Sequence, residues 1–161
     1  MIAVYYGLLI GLAIALLVAA FTDIRSRRIA NWLNAAIALG APVFWWASGM
    51  ALWPDMAWQF GFALLVTAIL IGLYAVGLLG GGDIKLLAAL ALWIDPDSYL
   101  TLLVIMAVVG GFMAVGFVVR RVVLKPKQPG QLPYGVAIAA GALWVMTQNY
   151  FPSELLASTA G

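Results

Sequence analysis

The chain is dominated by long apolar stretches that charge interrupts only at their ends. No Lys or Arg occurs between Met1 and Phe21. Further apolar segments follow at Asn31–Ser48, Trp58–Leu79, Ile84–Ile94, Tyr99–Val119 and Leu132–Tyr150. A membrane-spanning helix needs about 20 such residues. Runs without period-2 alternation argue against an outer-membrane barrel. Eight basic and six acidic side chains in 161 residues, 9% of the chain, could not coat a water-facing domain, where about a quarter of residues are charged. An ordinary soluble enzyme, a disordered chain and a nucleic-acid binder with a broad basic face are thereby excluded. The expectation is an all-α integral membrane protein: six transmembrane helices in one domain, residues 1–161.

The first segment reads as a spanning helix rather than a cleavable signal. It has no basic n-region, and its apolar run is too long for an h-region. The fourth segment is short: its eleven residues rise about 16 Å at 1.5 Å each, half of a ~30 Å hydrocarbon core. It must recruit flanking residues or start below the surface.

Charge sets the expected orientation. With the N-terminus and C-terminus outside, Arg25, Arg27, Arg28, Lys85, Arg120, Arg121, Lys125 and Lys127 all face the cytoplasm, as the positive-inside rule requires. Asp55, Asp95, Asp97 and Glu154 then fall outside, where Asp95-Pro96 fits an N-cap followed by Pro at the first helical position. Trp53-Pro54-Asp55 fits a similar entry to the third segment. Trp45, Trp46, Trp53, Trp58 and Trp93 read as an interfacial belt. Gly7-x-x-x-Gly11, Gly110-Gly111 and Gly116 offer small-residue packing faces. The Leu124–Gln131 stretch reads as a cytoplasmic loop whose cations meet lipid.

The chain has no Cys and no His, so disulfide, thiol and His-based metal or triad chemistry are excluded. No metal or other cofactor is expected. Only Asp23 and Asp83 remain on the inner side. Asp23 ends the first segment, where a carboxylate opposes the helix dipole and Arg27 stands four residues on. Asp83 follows Gly80-Gly81-Gly82, residues that permit close backbone approach and a hinge. Each acid alone also has a plain reading, as a helix-end ion pair and an N-cap. Together they sit near one depth. Two carboxylates ~4 Å apart at an effective dielectric of ~20 repel by about 4 kcal/mol, roughly three pK units. One then keeps a proton while the other ionises, the arrangement by which aspartic proteases activate water and polarise a carbonyl.

Gly80-Gly81-Gly82-Asp83 resembles the Gly-x-Gly-Asp motif of the prepilin peptidases, a branch of the membrane aspartyl proteases. The stretch from Asp23 through Arg25, Arg27, Arg28 and Ile29 to Asn31 is similar to that family's first catalytic stretch, with Ala30 where many members have Pro. Pro133-Tyr134-Gly135 is similar to a third short motif. The resemblance implies a Gly-x-Gly-Asp protease bundle in the bacterial inner membrane, with Asp23 and Asp83 as the catalytic pair. It implies cleavage of class III leaders from type IV pilin precursors at the cytoplasmic face, with the precursor and the lipid bilayer as partners and no nucleic acid. The chain looks like the short form of the tight-adherence (Flp-type) systems. Larger members carry an N-terminal region with cysteines and also N-methylate the product, which is not expected here. Asn31 and Asn34 read as caps of the second helix, and Tyr134 as an interfacial anchor. The rival readings are a non-catalytic assembly subunit or small transporter component, and another branch of intramembrane aspartyl protease.

Overall fold

The computed structural model describes residues 1–124 and 132–151, and every regular element among them is helical. The helices are α1 (Ile2–Ser26), α2 (Asn31–Ala47), α3 (Ala57–Ala75, entered through a turn at Leu52–Met56), α4 (Gly81–Leu90), α5 (Pro96–Leu124) and α6 (Tyr134–Asn149). Three stretches, Ile2–Ser26, Leu52–Ala75 and Pro96–Val123, are long and apolar enough to cross a membrane. Large apolar side chains such as Ile14, Leu17, Leu64, Ile69, Val108 and Phe112 face outward from them. With no water in lipid to hydrogen-bond, the backbone must satisfy itself, and helices do so within one segment. The protein is a helical membrane protein.

Helix α4 lies at the centre, against α2, α3 and α6, and its Leu86, Leu87 and Leu90 are fully buried. Its ten residues are shorter than any span, so its carbonyl end would be stranded at depth. Side chains from the surrounding helices take up those carbonyls. The buried Gln59 Nε2 donates to both Ala91 O and Ile94 O at 2.8 Å. Trp45 Nε1 donates to Leu92 O at 2.7 Å, and the Tyr99 hydroxyl to Leu87 O at 3.0 Å. The short fourth segment is thus completed by partners rather than by more helix.

These bonds correct the aromatic-belt expectation for two of its members. Trp45 and Trp93 are buried, and Trp93 Nε1 donates to Ile37 O at 2.8 Å while its ring stacks on Phe44. Trp46, Trp53 and Trp58 remain exposed. The Asp95 cap is present: its Oδ1 accepts the Ser98 N–H at 3.0 Å, and Pro96 opens α5. Asp55 instead folds back onto the Ala51 N–H at 3.2 Å. Close packing falls at other glycines than the Gly7–Gly11 pair, which meets nothing within 4 Å of a would-be Cβ among the described residues. A Cβ at Gly141 would lie 2.7 Å from Leu102 O, and one at Gly110 would lie 3.2 Å from the Tyr134 ring. Because α6 begins beside Gly110, α5 continues past that point to Leu124, about 20 Å of helix at 1.5 Å per residue. The connection after Leu124, and Glu154, lie outside the described residues.

Candidate active site

Helix α1 runs one turn further than its apolar stretch, which carries Asp23 onto the helix rather than past it. Arg27 ends it in the left-handed region (φ 56°), its N–H donating to the Asp23 carbonyl at 2.9 Å. That turn redirects the chain through Ile29 into α2. Helix α4 starts earlier than its apolar stretch, and Gly81 and Gly82 form its first turn. Gly81 and Gly82 are therefore helical, and Gly80 before them is extended. Gly82 abuts Ile29, with a would-be Cβ 3.5 Å from the Ile29 Cβ. This contact brings the start of α4 against the α1–α2 link.

As a result, Asp23 and Asp83 line one cavity of about 540 Å³, with Arg27, Arg28, Asn31, the Gly80–Gly82 backbone and Leu132 around them. Asp23 is buried, 7% exposed. Its Oδ2 accepts the Gly135 N–H at 2.8 Å, in the first turn of α6. A helix N-terminus presents unpaired N–H groups to an anion. A Cβ at residue 135 would stand 2.9 Å from that oxygen and 3.0 Å from the Asp23 Cβ, so only glycine admits the carboxylate here.

Asp83 is half-buried ahead of the apolar stretch that begins at Ile84. Its carboxylate lies back over Gly80, where a Cβ would come within 2.9 Å of Oδ2. Burial pushes Asp83 up to about 6, and the nearby Asp23 charge pushes the same way, against a partly offsetting Gly80 backbone hydrogen bond. Two mutually repelling carboxyls in a partly dehydrated pocket can share one proton. Among the described residues no third potential metal ligand joins them.

The asparagines correct the capping expectation. Ala30, not Asn31, is the N-cap of α2, and no side chain caps it. Asn31 Oδ1 accepts from Lys85 Nζ at 2.8 Å, tying α2 to α4 at the cavity rim. Asn34 is buried, and among the described residues neither end of its amide has a partner. Tyr134 packs against Gly110 on α5. The residue without an assigned role in the sequence is Gly135. Its signal was there, a Pro-Tyr-Gly at a helix start, but not the acid it would face.

A profile of the type IV leader peptidase family matches residues 10–115, a stretch that holds both acids. No curated protein and no solved structure gives a match.

Proposed function

Because the chain belongs to the type IV leader peptidase family, we propose that it is an aspartic endopeptidase of the bacterial inner membrane. In this reading it removes the basic leader from type IV pilin precursors of the Flp kind at the cytoplasmic face. The helices cross the membrane six times with both termini outside, and residues 1–161 act as one domain. The observation that carries the reading is that Asp23 and Asp83, sixty residues apart in sequence, line one cavity at one end of the bundle.

The chemistry needs nothing further. One carboxylate takes a proton from a water molecule as its oxygen attacks the scissile carbonyl carbon. The other, protonated, donates to the carbonyl oxygen, giving a neutral tetrahedral gem-diol. Collapse breaks the C–N bond, with a proton passing to the leaving amine. The cations at Arg27 and Arg28 fix orientation at the lipid surface.

The test is co-expression with a pilin precursor, following leader removal by gel shift. Wild type is expected to process it, and Asp23→Asn and Asp83→Asn to leave it intact at wild-type abundance. Processing that survives either substitution refutes the pair.

A further inference from the structure

A second cavity, of about 470 Å³, opens between α2 and α3 with α4 along its floor, and Asn31 lines both it and the acid cavity. Five alanines line it, Ala35 and Ala38 from α2, Ala63 from α3, Ala88 and Ala89 from α4, with the larger Phe60, Leu64 and Leu92 also on its walls. Side chains the size of alanine let a helix approach closely in lipid. From Lys85 at its mouth the groove follows α4 to its end and reaches Leu92 in the turn beyond, about 10 Å in all.

Alanines alone would not identify an occupant. Asn34 points to one. It lines this groove one turn above Asn31, is 5% exposed, and has no partner for Nδ2 or Oδ1 among the described residues. An unpaired buried amide is costly, and in a bilayer no water relieves it. A lipid tail would fill the space between the alanines and leave the amide unpaired. A helix carrying one polar side chain would meet both demands. A chain leaving the acids on the C-terminal side of the cut reaches the groove through the shared Asn31.

We propose that this groove seats the apolar helix of the precursor, and that Asn34, turning about its side-chain bonds, hydrogen-bonds a hydroxyl or amide side chain in that helix's first turns. The proposal rests on the peptidase reading above and adds the substrate feature it selects.

The experiment uses the whole protein in lipid nanodiscs with two synthetic precursors. Both carry a basic leader, a cleavage site and an apolar helix. One has Asn near the start of that helix and the other Leu. Wild type is expected to cleave the Asn precursor with a KM about tenfold lower, the scale of one hydrogen bond. Asn34→Leu is expected to lose that discrimination with kcat unchanged, and to melt no lower than wild type, since it removes an unpaired polar group. A photo-reactive residue at Ala63 in the Asp83→Asn background is expected to label the precursor helix. Equal KM values for both precursors in wild type overturn the proposal, as does label found only on lipid or on a second copy of the enzyme. If wild type cleaves neither precursor, the peptidase reading itself falls. Cleavage with an unlabelled helix defeats the groove alone.

Discussion

The Gly135 N–H and the Asp23 carboxylate, 112 residues apart, meet at 2.8 Å in the buried end of the bundle. Helix α6 holds the acid of α1 by the N–H of its second residue, and the missing side chain at residue 135 makes the room. Gly135→Ala is expected to displace the carboxylate. A misplacement of about 1 Å costs on the order of a hundredfold in rate. Steady-state kinetics on a pilin precursor should show kcat falling by about that factor with KM little changed. Wild-type kcat in Gly135→Ala would show that this contact does not position the acid.

Acidity follows from Asp83. Its carboxyl is raised to about 6 by burial and by Asp23. Cleavage is expected to decline as pH rises past about 6 and Asp83 gives up its proton. A rate that climbs steadily from pH 5 to 8 would contradict this.

The same shift has a stability consequence of opposite sense to an ion-paired acid. A folded-state pKa above the unfolded value means that the native state binds more protons in between, so stability falls as pH rises from about 4 to about 6. Asp83→Asn removes the charged form. It is expected to melt above wild type at pH 8 and level with it at pH 4, by thermal unfolding in detergent.

Gln59 is the only side chain on two of the carbonyls at the end of α4 among the described residues. Gln59→Leu keeps the bulk and strands both. The expected loss is about 1–3 kcal/mol, read from unfolding in a detergent series, with kcat retained.

Gly141 tests the α5–α6 seam. A Cβ there meets backbone, Leu102 O at 2.7 Å and Met106 N at 3.3 Å, neither of which can rotate away. Gly141→Ala is expected to cost about 1–3 kcal/mol by overpacking. Gly7→Ala, with open space around it, is expected to melt at the wild-type temperature.

The positions of the helices were legible because a bilayer demands uninterrupted apolar runs, and α2 begins at Asn31 as expected. Their ends were not, since tertiary bonds set them. Helix α1 extends through Asp23 to Ser26, and α4 starts at Gly81 because Gly82 seats on Ile29. Trp45 and Trp93 were misassigned for a related reason. An indole at a helix end has the same sequence signature whether its N–H meets water or a buried carbonyl. The two acids stood out because so few charges compete with them. Asn34 did not, because a polar residue in a helix's first turn resembles a cap until its neighbours are known.

The overhang of α5 has a further consequence. Its far end carries Arg120 and Arg121, both exposed, so the overhang is the cationic part of α5 and is suited to lie along anionic lipid headgroups.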